Sequence, residues 1–118
     1  MNNNTVIAQL DDLQISARLA KVCTTYSYDL HFWEKDADFP SSLNKSVLIR
    51  QLNGISEDDL SRISSLKENR ELTIIGFSDN MDKNIVNYFK QWGFHMVIRR
   101  KDLLKNLSSL LGKIFNGS

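Results

Sequence analysis

Asp11 and Asp12 are adjacent carboxylates that close a short apolar run, Val6-Ile7-Ala8-Gln9-Leu10. Mg²⁺ wants oxygen ligands in near-octahedral geometry, so such a pair alone would hold it poorly. Where the pair is partly buried, it needs a cation to offset the mutual repulsion. The chain offers that cation in Arg99-Arg100-Lys101. Arg100 is slightly preferred over Lys101 as the partner, because a guanidinium fork satisfies a carboxylate with two charge-assisted bonds. Gln51 lies near the end of a second apolar run, Ser46 to Leu52, and Ser78 follows a third, Leu72 to Phe77. Two readings stand for the acidic residues: a relict pocket with some ligand, or Asp12 capping a helix while Asp11 is solvated. Two also stand for Gln51: its amide bonds to Ser78 or to backbone and closes the pocket, or it binds a ligand.

Little else in the chain points to catalysis. There is no Gly-rich phosphate loop, no GxSxG elbow and no Cys/His metal spacing. His31 and His95 are too far apart in sequence to form a motif and are read as structural or exposed. Cys23, the single cysteine, cannot form an internal disulfide and is read as a small core residue, with redox sensing a distant second. The expectation is a non-enzyme with no cofactor and no resident metal. Fifteen basic against fourteen acidic residues leave a net charge of +1, which gives no bulk reason to expect nucleic acid or an anionic membrane as partner. No apolar stretch approaches the ~20 residues of a membrane span, and the Asn-rich opening has no secretory pattern, so a cytoplasmic address is expected. At 118 residues, 42% hydrophobic and 25% charged, the chain is expected to fold as a single domain over 1–118.

The elements that must position these residues follow from periodicity. Val6 to Leu10 reads as a buried first strand. Ile15, Leu19, Val22, Cys23 and Tyr26 form a helical stripe. Tyr28 to Trp33 alternates and is aromatic-rich, as an edge or half-buried strand would be. Asp36 to Lys45, which contains Pro40, is expected to hold a short or irregular helix. Ser46 to Leu52 is strand-like and Asn53-Gly54 ends it. Ser56 with Asp59 resembles a capping box before Leu60, Ile63 and Leu66. Leu72 to Phe77 is the most continuous β-prone run and reads as a central strand buried on both faces. Ile85, Tyr88, Phe89 and Trp92 form another stripe, closed by Gly93. Phe94 to Ile98 is the fifth strand, and Asp102 is expected to cap a last helix carrying Leu103, Leu107, Leu110, Leu111 and Ile114.

Strands alternating with helical segments predict an α/β fold: a doubly wound, five-stranded parallel sheet of flavodoxin-like order 2-1-3-4-5, with helices on both faces. Function in such a sheet gathers beyond the carboxyl ends of the strands, where Asp11, Asp12, Gln51, Ser78 and Arg100 or Lys101 lie. From about Val6 to Ile114 the arrangement resembles the CheY-like receiver domain of two-component response regulators. Asp11-Asp12 stands where receivers carry the acidic pair that helps to hold Mg²⁺, and Ser78 where they carry a Ser or Thr. The position of the phosphoacceptor aspartate is taken by Gln51, whose amide cannot form an acyl phosphate. The lysine and cis-proline of the family become Arg100 or Lys101 with no proline, and the switch aromatic becomes Val97 or Ile98.

The resemblance therefore implies a pseudo-receiver: a signalling module that works by protein contact without phosphorylation, either free-standing or the amino-terminal part of a transcription regulator or other multidomain protein. It directs attention to the face of the fourth helix, fifth strand and fifth helix for a protein partner or a homodimer, with Tyr88, Lys90, Gln91, Trp92, Arg99, Lys105 and Asn106 as candidates. Tyr88 or Trp92 would be the anchor, although Trp92 also lies on the apolar stripe of its helix. The alternative is a small-molecule or nucleotide sensor built on the vestigial pocket. A deep polar cleft around Asp11, Gln51, Ser78 and Arg100 would favour it, and a filled one would favour contact.

Overall fold

A computed structural model describes residues 4–40 and 45–116. The elements run β1 (Thr5–Gln9), α1 (Leu13–Tyr26), β2 (Asp29–Phe32), β3 (Ser46–Gln51), α2 (Glu57–Leu66), β4 (Leu72–Ser78), α3 (Lys83–Gln91), β5 (Met96–Arg99) and α4 (Arg100–Asn116). All the strand pairs are parallel and the sheet order is β2-β1-β3-β4-β5, as the alternation of elements predicts. The fold is α/β with a CheY-like sheet.

Successive strand residues point to opposite faces, so each inner strand supplies two cores. Val6, Ala8, Val47, Ile49, Ile75 and Phe77 meet Leu19 of α1 and Leu107 of α4 on one face. Ile7, Leu48, Leu52 and Ile74 meet Leu60 and Ile63 of α2 on the other. Cys23 is buried in the first core, and burial pushes its thiol up to about 11, which keeps it a protonated apolar residue. Gly76 lies mid-β4 because a Cβ there would stand 2.9 Å from Leu52 Cδ1 and Phe94 Cε2, so the missing side chain is the space that those two occupy.

Three expectations change. The first concerns the segment from Asp36: no helix forms over 36–40, where a turn and a bend follow β2, and Ser41 to Asn44 lie outside the described residues. Trp33 fills part of the space that a helix would cover. Its indole N–H donates to the Ala37 carbonyl at 2.9 Å and its ring meets Phe39 edge-on at 5.0 Å. Among the described residues there are thus four helices, and the predicted fourth and fifth are α3 and α4. The second change is at the last helix, which starts at Arg100 directly after β5, so Asp102 lies inside the first turn and receives Arg99 Nε at 3.0 Å instead of capping. The third is β5, which begins at Met96, because Phe94 is consumed in the core beneath α3.

Candidate functional site

The carboxyl edge of the sheet is organised around Asp12. One of its carboxylate oxygens accepts the Gln14 and Ile15 backbone N–H groups at 3.1 Å each, which caps α1. The same carboxylate receives Arg100, from Nε at 2.5 Å and from Nη2 at 3.2 Å, and Nη2 also donates to Gln14 Oε1 at 2.7 Å. α1 and α4 pack on the same face, and α4 follows β5 with no loop, so the guanidinium arrives at the start of α1. A cation in a first helical turn opposes the helix dipole, and the Asp12 carboxylate offsets that. The bond from Arg100, aided by the capping N–H groups, holds the Asp12 carboxyl below its ordinary value despite partial burial. The guanidinium is shifted up in return by Asp12. Asp12 therefore caps α1 while Asp11 is exposed, and the same carboxylate is the partner of Arg100.

Asp11 is exposed beside it, and its backbone N–H donates to Gln51 Oε1 at 2.9 Å. Gln51 thus ties the end of β3 to the end of β1 through backbone, as the first of its two readings has it. Ser78 ends β4 half-buried, opposite Arg99 in the ladder with β5. Lys101 is exposed in the first turn of α4 and forms no ion pair among the described residues, so the choice of cation falls on Arg100. Among the described residues no group of three or more His, Cys, Asp or Glu side chains could hold a metal ion. His31 is exposed on β2. His95 is structural: its N–H donates to the Ile74 carbonyl and its Nδ1 accepts the Ile74 N–H, both at 2.9 Å.

Sequence reasoning missed Gln14 and a second charged pair. Arg50 lies near the carboxyl end of β3 on the α2 face, 13% exposed. It donates from Nη2 to Asp59 at 3.2 Å and from Nη1 to the Gln51 carbonyl at 2.6 Å, while its Nε is buried without an acceptor. Burial lowers the Arg50 pKa, and Asp59 counteracts this. Burial alone would raise the Asp59 carboxyl, but the N–H and hydroxyl of Ser56 and the charges of Arg50 and Lys35 bring it below its ordinary value. The expected capping box of Ser56 and Asp59 is present, and Arg50 locks it to the sheet. A cation inside the otherwise apolar run Val47-Leu48-Ile49-Arg50 was the available signal. Beside this pair opens a cleft of about 590 Å³ at the carboxyl ends of β1, β2 and β3, bordered by Asp11, Phe32, Glu34, Lys35, Arg50 and Gln51 among others. Neither Ser78 nor Arg100 lines it.

The candidate interaction residues flank the β5 edge from both layers. Tyr88, Lys90 and Gln91 are exposed on α3, Arg99 at the end of β5, and Lys105 and Asn106 on α4. Trp92 is half-buried against the α2-side core, which leaves Tyr88, 46% exposed and edge-on to Phe89 at 5.1 Å, as the available aromatic. No residue of α3 is fully buried, although its stripe is strongly amphipathic.

Several solved structures share this fold, among them two regulatory proteins. The regulatory domain of the master biofilm regulator CsgD superposes with a TM-score of 0.71 over 98% of this chain and 89% of its own, at 9% identity. A response regulator protein from Burkholderia multivorans superposes with a TM-score of 0.59 over 93% of this chain and 96% of its own, at 11% identity. No family model matches the sequence, and no curated protein does.

Proposed function

We propose that this chain is a pseudo-receiver, a two-component signal-transduction module that works in the cytoplasm by protein contact and without phosphoryl transfer. The observation that carries the reading is the Arg100 fork on Asp12, which puts a protein cation where Mg²⁺ would be drawn, beside a strand end whose acceptor carboxylate is replaced by Gln51. Without that carboxylate there is no acyl phosphate to form, and Asp11 with Asp12 alone holds Mg²⁺ poorly. The sharing of the fold with a regulatory domain and with a response regulator agrees with this role, free-standing or as the regulatory part of a larger transcription regulator. Signal output is assigned to the α3, β5 and α4 face, with Tyr88 as anchor and a protein partner or a second copy as occupant. The sensor reading on the same pocket is less favoured, since Asp12, Gln14, Gln51 and Arg100 are engaged with one another and with backbone.

The test is the amide NMR spectrum titrated with Mg²⁺ and then with beryllofluoride, which mimics an aspartyl phosphate. The peaks of Asp11, Gln51 and Ser78 are expected to stay fixed. Saturable shifts there that propagate into β5 would show a working phosphorylation pocket and overturn the reading.

A further inference from the structure

The cleft beside Arg50 shares Asp11 and Gln51 with the vestigial pocket but is not lined by Ser78 or Arg100, and its charge is not that of a phosphate site. It opens where α/β sheets receive ligands, beyond the carboxyl ends of β1, β2 and β3. The turn that follows β2 leaves Phe32 on its lip, 50% exposed. On its wall, the two terminal nitrogens of Arg50 are committed to Asp59 and to the Gln51 carbonyl, and its Nε is buried without an acceptor. The lining carries three carboxylates, Asp11, Glu34 and Asp59, against the two cations Lys35 and Arg50, a net negative charge in a chain whose overall charge is +1. With Asp59 taken by Arg50, the carboxylates of Asp11 and Glu34 remain without an ion pair among the described residues. Exposed carboxylates with an exposed aromatic residue at the lip suit a cation, although Asp11 also acts through its charge on Arg50. An anionic ligand would meet the same acids as repulsion.

We propose that this cleft binds a small organic cation, an amine or guanidine, with Asp11 and Glu34 meeting its charge and Phe32 its flat or apolar body. The site is independent of the α3, β5 and α4 face, which lies at the other edge of the sheet, so either proposal can fail alone.

The probe is agmatine, which carries both a guanidinium and an ammonium group. It is titrated into the full chain bearing Trp92→Phe, so that the fluorescence reports Trp33, a residue that lines the cleft. A saturable change is expected, together with amide shifts at Asp11, Phe32 and Glu34. In an Asp11→Asn, Glu34→Gln double variant the affinity should fall at least tenfold. Both residues are exposed, so the variant should keep the parent's thermal midpoint, which confirms its fold. Phe32→Ala should weaken binding about two- to fivefold. The absence of a saturable change, or equal affinity in the double variant, would overturn the proposal. Binding of adenosine monophosphate in preference to agmatine would also overturn it and reassign the cleft to anions.

Discussion

Asp12 carries two duties in one carboxylate, and they can be separated by substitution. Asp12→Ala removes the cap on the Gln14 and Ile15 N–H groups and should cost about 1 kcal/mol in urea unfolding, whereas Asp12→Asn keeps an accepting oxygen and should cost less. The charge duty shows in acid. Arg100 holds the folded carboxyl below its ordinary value of 3.8, so its contribution is complete above the unfolded pKa and is lost as pH falls through the depressed folded one. Stability should therefore decline below about pH 4, and Asp12→Asn should flatten part of that decline. Gln51→Asp alone is expected to leave Mg²⁺ unbound, because Arg100 still occupies Asp12. Gln51→Asp combined with Arg100→Ala should gain saturable Mg²⁺ shifts by NMR; if the single variant gains them too, Arg100 is not what excludes the metal.

Among the elements, β4 is the least tolerant. It is central to the ladder and buried along most of its length, and Gly76 lends its side-chain space to Leu52 and Phe94. Gly76→Ala forces those side chains aside and should cost about 1–3 kcal/mol, read from the shift in denaturation midpoint at unchanged slope. α3 is the opposite case. Its stripe of Ile85, Phe89 and Trp92 is only half covered, so the same period that builds a core elsewhere leaves an apolar edge beside β5. The turn after β2 shows a further variation, where one indole and one phenyl ring cover sheet that a helix was expected to cover.

Across the whole molecule, the two edges of the sheet carry separate assignments. The β5 edge has exposed Tyr88 flanked by basic residues, and the β2 edge borders the acidic cleft. Tyr88→Ala should leave the thermal midpoint nearly unchanged, because the ring is 46% exposed. The same variant should weaken partner capture, or the self-association seen by sedimentation, at least tenfold. Unchanged association would move the interface away from α3.

The periodicity of the chain was sufficient to locate the five strands and the four helices found among the described residues, because the side-chain periods of strand and helix are local properties of the sequence, and the rules for parallel crossovers supplied the sheet order. Ser56 with Asp59 was legible for the same reason, the capping box being closed within four residues. The pairing of Asp12 with Arg100 spans 88 residues, and the choice of Arg100 over Lys101 turns on one residue of register where β5 passes into α4 without a loop. Local pattern does not resolve such a junction. Arg50 with Asp59, the non-helical path of residues 36–40 after β2, and the cleft beside them were likewise decided by the spacing between packed elements, which only the assembled tertiary structure supplies.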